Sequence, residues 1–248
     1  MKLVLADPTY LRDSIGVISE LVNEANFKIT KEGLELVAMD PANVAMVMFK
    51  LLSSNFAEYD VETEQHLSIN LANLKQVLKR AKANDMLKLE FSGEGKLNIE
   101  LKSDSTRTFS LPLLDVEEKE QKIPNLTFPS TVEMTSSVLA DAIEDSNIVG
   151  ESVTLSLEPL KFTVRAESES THANIEIPGE NGTKITSSTT AKVKSKYSVE
   201  YLKKMMLGAK LSDQVTVHLN QDYPLKLEYK VIDKLSLNFI LAPRVDND

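Results

Sequence analysis

Cysteine and tryptophan are missing altogether from this chain of 248 residues, and glycine (8) and histidine (3) are scarce. Without a thiol there is no disulfide framework, no Cys-ligated zinc or iron–sulfur cluster and no cysteine nucleophile. Long apolar runs are missing too. The longest, residues 44–49, falls far short of the about 20 residues a spanning helix needs. The start of the chain breaks at Asp7-Pro8 before it could form the apolar core of a signal peptide. The expectation is an intracellular protein with no membrane partner. Catalytic constellations are also absent. Gly93 and Gly95 sit in a hairpin-like turn with no Gly-Lys-Ser/Thr behind them, and no Gly-x-Ser-x-Gly elbow occurs. His66, His172 and His218 lie scattered on or beside expected strands, none at metal-ligand spacing. The carboxylates Glu117/Glu118 and Asp141/Glu144/Asp145 fall on a connector and a helix surface, where they would bind magnesium weakly at best. The sequence thus offers no nucleophile, general base, metal site or cofactor, and an enzyme using carboxylates and magnesium is disfavoured.

What is present is an internal repeat. Leu11, Leu74, Leu139 and Leu202 each sit in an amphipathic helical segment followed by an alternating hairpin, at spacings of 63, 65 and 63 residues. The third helical segment, residues 138–148, has the weakest pattern of the four. One helix cannot cover so wide a strand array alone, so the units are expected to pack in pairs. The charged, proline-bearing connector at 115–129 divides the chain: a first domain at 1–115, a linker at 116–129 and a second domain at 130–248. The expected fold class is α+β, two similar domains each with two helices packed on one face of a long antiparallel sheet.

The net charge is −9, from 28 basic and 37 acidic residues, and an acidic average repels phosphate. The lysines are nevertheless segregated. Around the second helix, Leu74, Val77, Leu78 and Ala81 point inward and leave Lys75, Lys79 and Lys82 opposite, with Arg80 nearby. Around the fourth, Leu202, Met205, Met206 and Ala209 point inward and leave Lys203, Lys204 and Lys210 exposed. The first and third helices are the reverse: Arg12 is outweighed by Asp13, Glu20 and Glu24, and Asp141, Glu144 and Asp145 have no basic companion. One exposed lysine cluster ordinarily does no more than solvate a face. Two at equivalent places in a repeat concentrate a positive field in an acidic protein. Lys192, Lys194 and Lys196 are read as outer-strand lysines that discourage aggregation.

Certain residues carry a family resemblance. Leu21-Val22-Asn23-Glu24-Ala25-Asn26-Phe27, Gly33 through Val44 with its Asp40-Pro41-Ala42-Asn43-Val44, Leu113-Leu114-Asp115-Val116-Glu117, Ile123-Pro124, Pro224-Leu225 before Glu228-Tyr229, and the ending Leu241-Ala242-Pro243-Arg244 resemble the proliferating cell nuclear antigen family, the sliding clamps of eukaryotes and archaea, in its archaeal form. The resemblance implies a DNA-clamp fold assembling into a closed ring of three copies, helices lining the hole, sheets on the rim. It implies a processivity factor that encircles double-stranded DNA without reading its sequence and partners with itself, a clamp loader, DNA polymerase, flap endonuclease and DNA ligase. The location would be cytoplasmic and nucleoid-associated in an archaeon, nuclear in a eukaryote. The alternative is one subunit of a heterotrimeric or checkpoint-type clamp acting mainly as a protein scaffold.

Carried over to this sequence, the resemblance makes Arg12, Lys75, Lys79, Arg80, Lys82, Lys203, Lys204 and Lys210 the DNA-facing cations. It makes Met39, Val44, Met46, Ile123, Pro124, Ala209, Pro224, Ile240, Leu241, Ala242 and Pro243 the groove for short client peptides, where methionines supply adaptable walls. Subunit closure would use edge strands carrying Phe109 and Leu111 on one side and Ile175 and Ile177 on the other, with Pro112 marking a strand end. Departures are Asp141 and Glu144, acidic where eukaryotic members are basic, Ile240 where those usually have tyrosine, and Gln121-Lys122 in place of a more apolar pair.

Overall fold

The computed structural model describes residues 1–115 and 121–244; the part of the linker at 116–120, with Glu117 and Glu118, and the tail at 245–248 lie outside the described residues. In chain order the elements are β1 (Lys2–Leu5), α1 (Thr9–Ile18), β2 (Glu24–Ile29), β3 (Gly33–Met39), β4 (Ala45–Leu52), β5 (Glu58–Asp60), β6 (Gln65–Asn70), α2 (Leu71–Leu78), β7 (Met86–Glu90), β8 (Lys96–Lys102) and β9 (Thr106–Pro112). They continue with β10 (Ser130–Thr135), α3 (Ser136–Asn147), β11 (Ser152–Glu158), β12 (Lys161–Glu167), β13 (His172–Pro178), β14 (Lys184–Ser187), β15 (Val193–Ser198), α4 (Val199–Met206), β16 (Gln214–Leu219), β17 (Leu225–Val231) and β18 (Leu235–Leu241). They gather into two units, one of Met1–Pro41, Val47–Lys122 and Val231–Leu237, the other of Ala42–Met46, Ile123–Lys230 and the chain from Asn238 onward.

Local chemistry explains where the helices start and which face they bury. Asp7 Oδ1 accepts the Thr9 N–H at 2.9 Å to open α1, which then buries Leu11, Ile15 and Ile18 on one face. Asn70 caps α2, its Oδ1 accepting the Asn73 N–H at 3.0 Å. The helix ends at Leu78, earlier than the apolar spacing suggested, so Lys79, Arg80 and Lys82 lie on the turn that follows it. The third helix, weakest by periodicity, is well formed over 12 residues. Its inward face includes Ser136 and Ser146, whose hydroxyls donate to Ser212 O at 2.7 Å and Ala142 O at 2.8 Å. Small polar residues satisfied in this way are buried without showing in an apolar pattern.

The single long sheet expected for each domain is corrected to two sheets with helices crossing between them. In the first unit β5-β1-β7-β8-β9 form one antiparallel array and β4-β3-β2-β6 the other; in the second the arrays are β14-β10-β16-β17-β18 and β13-β12-β11-β15. Adding nine to each strand number of the first unit reproduces the second. Each of α1, α2, α3 and α4 carries the chain from one array to the other, as α1 does between β1 and β2. A helix inserted between two strands prevents their forming a hairpin, and the chain also changes array without an α-helix, from β4 to β5 and from β5 to β6. Helices α1 and α2 pack together in the first unit and α3 and α4 in the second. Strand alternation supplies the inner faces: β8 buries Leu97, Ile99 and Leu101 and leaves the residues between them more open. In the second unit Phe162, Tyr197, Tyr229 and Phe239 are fully buried. Gly208, in the turn after α4, is demanded by close approach, since a Cβ there would lie 2.5 Å from the Tyr229 ring.

Candidate functional site

In the first unit the cations expected to meet DNA fall into two groups. Lys79, Arg80 and Lys82 are exposed and have no ion pair among the described residues. Lys75 Nζ lies 2.6 Å from Glu20 Oε1, just past α1, and Arg12 Nε lies 2.8 Å from Asp13 Oδ1. The turn bearing the unpaired cations is held by a residue that sequence reading overlooked. Asp85 is fully buried. Its Oδ2 accepts the Lys82 N–H at 2.7 Å and pairs with Arg107 Nη2, while Arg107 Nη1 donates to Arg80 O at 2.9 Å. The carboxyl is held down at about 2, first by the Lys82 N–H, then by Ser103 and Arg107, against the opposing effect of burial. Arg107 belongs to β9, so one carboxylate ties the cationic turn to an edge strand.

In the second unit Lys203 Nζ is 2.9 Å from Glu144 Oε2 of α3, and Lys204 pairs with Glu200 at 2.8 Å and lies over the Tyr201 ring. Lys210 is exposed in the short turn after α4, with no ion pair among the described residues. Asp141 and Asp145 are exposed on α3. Lys194 and Lys196 lie on β15, but Lys192 precedes it.

Ten of the eleven residues expected to line a peptide groove fall in the second unit; Met39, half-buried, belongs to the first. The Ala242 N–H donates to Val44 O at 2.9 Å and brings these two segments together. Ala209, Pro224, Ala242 and Pro243 are partly exposed, Ile240 is nearly buried, and Ile123 and Pro124 are open. Two of the residues are enclosed. Leu241 is fully enclosed on the inward face of β18 with Leu235, Leu237 and Phe239, whereas Met46, almost enclosed as well, lies on the other face of β4 from Ala45, Val47, Phe49 and Leu51, alongside the half-buried Met48, Lys50 and Leu52. The linker, expected to be exposed, is anchored from Thr127 onward: Asn220 Nδ2 donates to Thr127 O at 3.2 Å, Phe128 lies 5.4 Å from the His218 ring and 5.9 Å from that of Tyr223, and Pro129 O accepts the Ser188 N–H at 2.8 Å. A lone aromatic before a proline was the only sequence signal for this anchor.

The strands expected to close subunits are both sheet edges. β9 ends one array of the first unit and turns Phe109 and Leu111, half-buried, to the same side as Arg107. β13 ends one array of the second unit, with Ile175 half-buried and Ile177 buried. Among the described residues the other ends are short or covered: β14 has four residues, and Ser68 O on β6 accepts the Leu114 N–H at 2.8 Å. β5 has three residues, and the outer carbonyls of β15 at Lys194 and Lys196 accept the Asp222 N–H at 3.0 Å and the Arg244 N–H at 2.7 Å.

The three histidines stay apart. His66 Nε2 is 2.9 Å from Glu64, His172 is exposed, and His218 Nε2 is 3.2 Å from Glu228, whose carboxyl is held well below the usual range by His218 first and then Lys226, burial opposing them. No group of three His, Asp or Glu among the described residues could hold a metal ion, and no described helix is long and apolar enough to cross a membrane.

Comparison with known proteins identifies this arrangement. The family model described as proliferating cell nuclear antigen, N-terminal domain, matches residues 1–121, and that of the C-terminal domain matches residues 122–244. The chain belongs to the proliferating cell nuclear antigen family. That family is one of non-catalytic sliding clamps. Among its relatives the DNA polymerase sliding clamp of Pyrococcus horikoshii is 38% identical over 232 residues, covering 94% of this chain and 93% of that one. The DNA polymerase sliding clamp of Nanoarchaeum equitans is 34% identical over 249 residues, covering 99% and 100%. The solved structure of PCNA from Thermococcus kodakaraensis superposes with a TM-score of 0.91 at 29% identity, over 98% of this chain and 99% of that one.

Proposed function

We propose that this chain is a DNA polymerase sliding clamp working as a ring of three copies, with 1–115 and 130–248 as its two domains and 116–129 as the linker between them. The ring encircles duplex DNA, turns its helix-borne cations to the phosphates and holds polymerase, flap endonuclease, ligase and loader through the groove at Val44, Pro224, Ile240, Ala242 and Pro243. The observation that carries the reading is the nine-strand repeat together with its open ends. β18 is the repeat equivalent of β9, and β4 of β13. Neither equivalent is open: Lys234, just before β18, accepts the Leu52 N–H at 2.9 Å inside the first unit, and Val44, just before β4, accepts from Ala242, just after β18, inside the second. The edges β9 and β13 are left for another copy, and a head-to-tail contact of this kind closes into a ring when the rotation allows. Retention by encirclement needs only weak contact, which suits lysines that touch backbone phosphate and read no base.

The test joins mass in solution with retention on DNA. Light scattering is expected to give three copies over a wide concentration range, and loaded rings are expected to stay on closed circular DNA and leave a linear duplex with free ends. A stable monomer, or equal loss from circle and linear duplex, rejects the reading; a trimer only with an unlike partner chain favours the heterotrimeric one.

A further inference from the structure

The two lysines that occupy equivalent places in the repeat, Lys75 after Leu74 and Lys203 after Leu202, each meet a carboxylate of the neighbouring acidic helical segment. Glu20 lies 2.6 Å from the first and Glu144 lies 2.9 Å from the second. Lys79, Arg80, Lys82 and Lys210 have no such carboxylate among the described residues. We propose that Glu20 and Glu144 are built-in competitors for phosphate, positioning residues that hold Lys75 and Lys203 back from DNA and so keep the grip weak enough for sliding. The proposal rests on the DNA-encircling reading and deepens it.

The physical basis is local. A carboxylate in contact with an ammonium lies well inside the screening length of about 8 Å at physiological salt, so it both attracts the lysine and repels the phosphate that would replace it. Both pairs are partly exposed, with side-chain accessibilities of 22% and 41% for Lys75 and Glu20 and of 37% and 64% for Lys203 and Glu144. Exposed pairs of this kind are weak enough to exchange. The lysine is thus divided between two anions, one of them permanent. A lysine already neutralised by the protein displaces fewer counterions from DNA, and this flattens the salt dependence of binding.

The test uses the full-length assembled protein and three double variants. In Glu20→Gln/Glu144→Gln the shape is kept and the competing charge removed. In Glu24→Gln/Asp145→Asn the same charge is removed from exposed acids that have no lysine partner among the described residues. In Lys79→Glu/Lys82→Glu the unpaired cations are reversed. Binding to a short linear duplex is followed by fluorescence anisotropy over a range of salt concentrations, and one-dimensional diffusion on a long duplex is followed by single-particle tracking, with mass checked by light scattering. The first variant is expected to bind about three- to tenfold more tightly, with a salt slope steeper by about 0.9 for each additional phosphate neutralised and slower diffusion, at unchanged mass. The second is expected to change binding far less. An unchanged first variant overturns the proposal, and an equal gain in the second overturns it in favour of net charge alone. The third variant separates the two readings: if it weakens binding while the first changes nothing, only the competitor role fails, and if neither changes binding the DNA-facing assignment fails with it.

Discussion

At the scale of single residues, Asp85 has the clearest consequence. It is the fully buried carboxylate that holds the turn at Lys82 and the guanidinium of Arg107. Its ordinary value of 3.8 falls to about 2 in the folded protein. A depressed carboxylate contributes stability that is complete above its unfolded value and lost as pH falls through the folded one. Asp85→Asn is therefore expected to lower the urea midpoint at neutral pH, and the gap from the unaltered protein is expected to close as pH drops from 3.8 toward about 2. A gap that stays constant over that window would show that the ionised form is not what matters. Lys79, Arg80 and Lys82 were legible as cations because charge is read directly from residue type. Their clamp was not, because Asp85 and Arg107 are 22 residues apart on different elements and only the folded chain sets them side by side.

The element that matters most to the cationic surface is α2. Its eight residues are too few to be stable alone, so capping and packing hold it. Asn70→Ala removes the side-chain acceptor of the Asn73 N–H and is expected to cost about 1 kcal/mol, read as a lowered denaturant midpoint with faster hydrogen exchange at Asn73. Unchanged exchange there would mean that water replaces the cap without loss. Four helices and their following hairpins were legible from apolar period. The ends were not: α2 stops at Leu78 although apolar spacing continues to Ala81, which is buried all the same in the following turn. Burial is visible in residue type, whereas the hydrogen-bond pattern that separates helix from turn is not. The separation of each unit into two arrays was hidden for a related reason, since a strand's partner depends on where the intervening segment, helix or loop, carries the chain.

For the whole molecule, the open edges make the assembly testable without DNA. Leu111→Lys on β9 and Ile175→Lys on β13 put a charge on half-buried apolar edge positions, and each variant alone is expected to sediment as a monomer. Mixed together they are expected to form dimers and nothing larger, because each retains the edge that the other has lost. Dimers of either variant alone would point to like edges pairing and would rule out head-to-tail closure. The proposed peptide groove belongs to this scale too. Its members were named through family likeness, and how much of each side chain is exposed was decided by the fold, which leaves Ile123 open and encloses Leu241.

By itself the sequence determined the absence of thiol chemistry, the fourfold repeat, the helices and hairpins, and the segregation of basic from acidic helices, because composition, period and charge are properties of residues in order. Only the tertiary structure decided that each helix bridges two arrays, that Asp85 and Arg107 lock the cationic turn, that Lys75 and Lys203 have acidic neighbours, and that β9 and β13 are sheet edges. All of these depend on which distant segments meet, and that is settled by packing and by the demand that buried polar groups find partners.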